Sequence, residues 1–197
     1  MILAFDTSSA ACTAALFDGD GCVARADEVI GRGHAERLVP MLDELLDGRK
    51  ADQILVGVGP GSFTGIRVAI AAAHGLAIGW GADLSGMSSL ALLAANVDGE
   101  VAAAVTGGHG ELFVQQFNAG EPAGELLNLP PAAAAAVTSS KLIIGSGAQQ
   151  LVAARGWGEA REALPSAADC MSLAPQLRLL PAKPLYARAP DAKAKAA

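Results

Sequence analysis

Short apolar runs separated by turn residues open the chain. Residues 2–5 form one run, and Cys12 to Phe17 a second, which Asp18-Gly19-Asp20-Gly21 closes with a hairpin signal. A strand from Cys22 to about Ile30 would complete a three-stranded antiparallel meander. From His34 onward Leu38, Met41, Leu42, Leu45 and Leu46 recur at helical spacing, while Glu36, Arg37, Asp43, Glu44 and Asp47 fall on other faces. That spacing predicts an amphipathic helix, with Pro40 in or just beyond its first turn, where a kink is possible. Ile54 to Val58 then reads as a buried strand, and about Thr64 to Trp80 as a long apolar helix. Val101 to Val105, a turn at Gly107 to Gly110 and a strand from Leu112 to Phe117 restart the meander. Residues 119–140, with five consecutive alanines at 132–136, read as a weak helix or a loop. Leu142 to Ile144 reads as a strand and Gln149 to Arg155 as a helix.

A meander, then helix, strand and helix, then a second meander, predicts an α/β protein of the ribonuclease-H-like, actin-like ATPase (ASKHA) type. The expected division is a first subdomain over residues 1–100, a second, smaller one over 101–190 and a frayed tail at 191–197.

Composition narrows the function classes. A hydrophobic fraction of 52% against 17% charged excludes an intrinsically disordered chain, and 4% aromatics means a core of small and aliphatic side chains. The formal net charge of −6 argues against a primary grip on nucleic acid phosphates. The last sixteen residues carry Lys183, Arg188, Lys193 and Lys195 against Asp191, so the acidity belongs to the rest of the chain. Cys12, Cys22 and Cys170 form no C-x-x-C pair and are expected to be reduced and buried. The first residues lack a basic n-region, and the helical part of the stretch from Val56 to Ala82 is read as too short for a bilayer, so a soluble, cytoplasmic protein without membrane contact is expected.

Three segments carry candidate chemistry. Asp6, Thr7 and Ser8 end the first strand, where Asp6 and Ser8 could meet a metal-nucleotide in a cleft; the competing reading is an Asx turn that shapes the hairpin. The loop Gly59-Pro60-Gly61-Ser62-Phe63-Thr64-Gly65-Ile66-Arg67 could offer helix-terminal N–H groups to an anion or could be a capped, tightly packed turn. It is not a Walker loop, since the Lys-Ser/Thr pair is missing. In the helix that follows, Ile66, Ile70, Ala73 and Ala77 form one stripe and Val68, Ala71, Ala72 and Leu76 cover other sides. Such a helix is buried on nearly every face, either by a partner chain or by the second subdomain. His34, His74 and His109 stand far apart in sequence without clustered carboxylates or thiols, which gives metal ligation little support. No G-x-S-x-G elbow is present, so serine hydrolysis has none either.

The loop from Gly59 to Arg67, with Ile2-Leu3-Ala4-Phe5-Asp6-Thr7-Ser8, His34-Ala35-Glu36-Arg37-Leu38-Val39-Pro40, the stretch from Ala77 to Leu90 and Pro184-Leu185-Tyr186-Ala187-Arg188, resembles the TsaB family. These are non-catalytic subunits of the bacterial complex that makes threonylcarbamoyl-adenosine beside the tRNA anticodon. The resemblance implies a scaffold that pairs with the catalytic paralogue TsaD, offers the ATPase TsaE a composite surface and contacts tRNA mainly through partners. It implies no metal and no tightly held cofactor, ATP being used by the complex. TsaD places two metal-binding histidines four apart after its equivalent helix, where this chain has Ser89 and Leu93. In the family the two helices form a dimer surface, with TsaD or with a second copy when the subunit is alone. That carries over to His34, Leu38, Met41, Leu42, Leu45, Ile66, Ile70, Ala73, His74 and Ala77. Thr106-Gly107-Gly108 replaces the family's Asp-Ala-Arg, so a role for that Asp or Arg does not transfer. The rival readings are an actin-like ATPase or kinase built on Asp6 and the Gly59 loop, and a glycoprotein endopeptidase, an activity once attached to the wider family.

Overall fold

Strand alternation organises the first half of the molecule, in a computed structural model that describes residues 1–185. The 191–197 tail and the Tyr186-Ala187-Arg188 part of the last motif lie outside the described residues. The first sheet comprises β1 (Ile2–Asp6), β2 (Ala11–Asp18), β3 (Gly21–Val29), β4 (Gln53–Gly57) and β5 (Asp83–Met87), in the order β3-β2-β1-β4-β5. The meander β1-β2-β3 is antiparallel, and β4 and β5 run parallel to β1. Helix α1 (His34–Leu46) enters β4 and helix α2 (Phe63–Trp80) leaves it. Leu3, Phe5, Leu16, Ile54 and Val56 point to the helix side, while Ala4, Ala15, Phe17 and Leu55 point the other way.

The second sheet repeats this connectivity with shorter pieces. It comprises β6 (Glu100–Thr106), β7 (Leu112–Asn118), β8 (Glu121–Pro122), a strand β9 (Leu127–Leu129) that also pairs with β7, β10 (Leu142–Ile144) and β11 (Glu159–Arg161). The order β11-β10-β6-β7-β8 is the order of the first sheet read from its other edge, again with an antiparallel hairpin and two parallel strands. Helices α3 (Pro131–Val137) and α4 (Ala148–Arg155) take the places of α1 and α2. The alanine run is thus helical, opened by Pro131 and anchored by the buried Ala134. Val101, Ala103, Val105 and Phe117 face the first sheet across a shared core with Met87 and residues 90–94. This duplicated α/β topology is the actin-like ATPase fold expected from the order of elements.

Beyond β11 the chain does not stay with the second sheet, contrary to the expected 101–190 unit. The short helical turn Ala167–Ser172 and helix α5 (Pro175–Arg178) return to the first sheet. The Ala167 N–H donates to Thr13 Oγ1 at 2.8 Å and the Ser166 hydroxyl to Asp27 at 2.9 Å. Residues 180–185 then form a strap along the edge of β5. The Gly86 N–H donates to the Leu180 carbonyl at 2.6 Å, and the Leu185 N–H to that of Val58 at 2.8 Å. Strand β5 itself was not evident in the sequence, because Asp83-Leu84-Ser85-Gly86-Met87 has neither an apolar run nor a clean alternation.

Two further expectations are corrected. Helix α2 has 18 residues and is, by length and composition alone, long and apolar enough to cross a membrane. Here Gly65, Ile66, Ala69, Ile70 and Ala73 bury one side of it on the sheet. Cys22 is exposed, at the solvent end of β3, whereas Cys12 and Cys170 are buried. Burial raises the Cys12 thiol to about 11 and the Cys170 thiol to about 12. A thiol reagent at pH 8 is therefore expected to modify one cysteine rapidly, mapped to Cys22 by peptide mass, with the other two reacting only on unfolding. Both raised groups keep their protons in the folded chain while the unfolded chain loses them. Stability should accordingly fall as pH rises above about 9, the ordinary value for these thiols.

Candidate functional site

The end of β1 and the loop before α2 are built as one unit. Asp6 is fully buried; one carboxylate oxygen accepts the Ser8 N–H at 2.6 Å and the other accepts the Ser89 hydroxyl. Ser89 in turn accepts the Gly59 N–H at 3.0 Å. The Thr7 hydroxyl donates to the Gly65 carbonyl at 2.7 Å, and the Ser62 N–H donates to the Ser8 carbonyl at 2.6 Å. The Ser62 hydroxyl caps α2 by accepting the Gly65 N–H at 3.2 Å. Glycine is required at two points of this lacing. A Cβ on Gly61 would fall inside the Ser8 carbonyl oxygen, and one on Gly65 inside that of Thr7. The Asx reading of Asp6 thus accounts for its geometry, and its carboxylate does not line the cleft between the subdomains.

That cleft has a volume of about 850 Å³. Ser8, Ser62, Phe63 and Arg67 line it from the first sheet's elements, and Thr106, Gly107, Gly108 and His109 from the second's. The Arg67 guanidinium lies 3.9 Å from the Phe63 ring centre. The tripeptide that departs from the family pattern therefore lines the same cleft as the signature loop. Ser89 and Leu93 do not form an open coordination site. Ser89 bridges Asp6 to Gly59, and Leu93 sits in the core between the sheets. Among the described residues no three His, Cys, Asp or Glu side chains are grouped to hold a metal.

The helix pair needs a correction of register. Eight of the ten residues expected at a dimer surface are buried in this chain's own core: His34, Leu38, Met41, Leu42, Leu45, Ile66, Ile70 and Ala73. His34 Nε2 lies 3.2 Å from the Ala11 carbonyl. Of the other two, Ala77 is half-buried against the same core, and His74 is exposed, toward the outward side. That side of α2 runs through Phe63, Thr64, Arg67, Ala71, Gly75 and Ile78, with Phe63 57% and Ile78 84% exposed. Val39 of α1 is likewise exposed, at 63%. Alanine on every side of α2 left the sequence with no signal to tell the inner stripe from the outer one. A salt-bridged cluster fixes α1 against the meander: Arg37 meets Glu28 at 2.5 Å and Glu44 at 3.1 Å. The guanidinium holds both carboxyls below their ordinary range.

Comparison with known proteins agrees with this anatomy. The family model described as TsaD, tRNA N6-adenosine threonylcarbamoyltransferase, matches residues 27–174. The tRNA threonylcarbamoyladenosine biosynthesis protein TsaB of Escherichia coli strain K12 is 36% identical over 130 residues, covering 61% of this chain and 56% of that protein. The chain thus spans about half the length of that relative. The crystal structure of an uncharacterized Pseudomonas aeruginosa protein with similarity to peptidase YeaZ superposes with a TM-score of 0.78 at 32% identity, covering 95% of this chain and 99% of that one. YeaZ from Pseudomonas aeruginosa superposes with a TM-score of 0.75, also at 32% identity, over 94% and 98% of the two chains. With a family model matched over most of its length and two solved relatives covered almost completely, the chain belongs to the TsaD/TsaB family and, within it, to the TsaB (YeaZ) branch.

Proposed function

We propose that this chain is a cytoplasmic, non-catalytic scaffold for threonylcarbamoyladenosine formation in tRNA. It pairs with a TsaD-type catalytic paralogue through the outward side of α2, pairs with itself when that paralogue is absent, and gives a TsaE-type ATPase a joint surface. ATP and most tRNA contacts belong to the partners, which suits the net charge of −6. The observation that carries this reading is the outward side of α2. Its C-terminal half is built from small residues around Ile78, and Gly75 and Gly79 lie on it with nothing within 4 Å of where a Cβ would stand. Each glycine costs a helix about 1 kcal/mol relative to alanine, and no close contact within the chain explains that cost. Close approach of another helix does.

The ATPase reading fits less well. Asp6 is committed to Ser8 and Ser89 and cannot turn toward magnesium without breaking both bonds. Ala71→Glu places a charge on the outward side with room to stand in water. It is expected to leave the melting temperature within a few degrees of the parent and to weaken co-elution with the paralogue by roughly a hundredfold or more, as a charge stranded in an apolar interface does. Unchanged co-elution would remove α2 as the contact, and a paralogue fully active in transfer without this chain would remove the scaffold role.

A further inference from the structure

The cleft between the subdomains is lined by hydrogen-bond donors without negative charge. Among the described residues its ionisable lining is Arg67 and His109, and neither a carboxylate nor a lysine lines it, in a chain of net charge −6. The hydroxyls add to this balance. Ser9 accepts the Ala11 N–H at 3.0 Å and Ser62 the Gly65 N–H at 3.2 Å, so each keeps its own proton to donate to a further group. The Thr106 and Ser146 hydroxyls, 3.4 Å apart, share one bond, which leaves one O–H over. Much of the remaining lining is apolar: Phe63 and Ile66 from the first subdomain, Val105 and Phe113 from the second, and Leu164 and Pro165 from the chain on its way back.

The tripeptide at 106–108 sets this character. The family's Asp-Ala-Arg would put a carboxylate at position 106, beside Ser146, and a long charged side chain at 108. Thr106 supplies a neutral hydroxyl instead, and Gly108 leaves open space, with nothing within 4 Å of where a Cβ would stand. The wall that the family pattern makes charged is here neutral and roomy.

A cavity of about 850 Å³ with apolar walls and a few convergent polar groups has the form of a small-molecule site. A magnesium nucleotide does not suit it. Magnesium is held through carboxylates, the lining offers none, and Asp6 is committed to Ser8 and Ser89.

We propose that the cleft binds, without metal, a small organic anion with a flat apolar body. The anionic group meets Arg67 and the serine hydroxyls, and the body lies among Phe63, Phe113 and Leu164. Carboxylates and phosphate monoesters share this chemistry. The proposal does not draw on the docking role of α2, and co-elution with the paralogue reports on that role separately.

Calorimetric titration of the full chain with 3-phenylpropionate, phenyl phosphate, neutral 3-phenylpropanol and inorganic phosphate tests it. At least one aryl anion is expected to bind with Kd below about 1 mM, and about tenfold or more tighter than the alcohol and inorganic phosphate. Thr106→Asp should weaken that binding about tenfold while Thr106→Asn stays within about threefold of the parent, since the two differ in charge rather than shape. Thr106 is exposed, so both variants should melt like the parent. Arg67→Gln should remove the preference for the anion over the alcohol. Binding of phenyl phosphate alone supports the proposal and assigns the source as a phosphate monoester; binding of 3-phenylpropionate alone supports it and assigns a carboxylate. An alcohol that binds as tightly as the anions, equal effects of the two Thr106 variants, a requirement for magnesium, or no aryl anion bound at millimolar concentration would each overturn it.

Discussion

Replacing Ala73 with glutamate is expected to unfold the protein. Ala73 is fully buried on the sheet side of α2, in the same cluster as Phe5, Leu38 and Ile54. A carboxylate there finds no cation and no water, and an uncompensated buried charge costs about 3–5 kcal/mol, a large part of the 5–15 kcal/mol that holds a typical domain together. For a chain of this size that is a fall in melting temperature of roughly 6–20 °C, or the loss of a cooperative transition, read by far-UV circular dichroism. Ala71→Glu, two residues away, should melt like the parent. A stable Ala73→Glu would mean that α2 is rotated relative to the sheet, and the outward side would have to be reassigned.

The second large effect is expected at Gly65. The methyl group of Gly65→Ala would enter the Thr7 carbonyl, a backbone atom held in place by β1 and by the Thr7 bond to residue 65 itself. Relief requires the loop to lift off the end of β1, which breaks the Ser62 to Ser8 bond and loosens the cap of α2. Overpacking of this kind costs about 3 kcal/mol. Urea denaturation should show a lower midpoint with an unchanged slope. The same substitution at Gly75, where a Cβ meets nothing, should be harmless or slightly stabilising. Equal effects at the two positions would show that the loop is not packed as described.

These two experiments mark where the sequence could and could not be read. The meander, α1 and the restart at β6 were legible because apolar positions there keep a clean period, as in Leu3 and Phe5 or Leu38, Met41, Leu42 and Leu45. The signature loop was legible as a motif, and both readings of it concerned its start on α2. What escaped was direction. The Leu and Met stripe of α1 is the side the helix turns to its own sheet, not the side it shows a partner. In α2 the hydrophobic character is nearly uniform, so only the packing against β4 and β5 separates Ala73 from Ala71. Strand β5 escaped because its edge is covered by the strap, whose approach comes from residues almost a hundred positions later. Such distant pairing leaves no local trace. The scarcity of aromatics, by contrast, was plain from composition.

The strap also bears on how the molecule is made. During synthesis β5 leaves the ribosome roughly five to twenty seconds before residues 177–185 do, at about 5–20 residues per second. In that interval the first lobe has every strand of its sheet but lacks the chain that closes its border at Gly86 and Val58. The early lobe must wait, half-fastened, with a bare sheet margin on offer to whatever passes, until the strap emerges and buttons it shut.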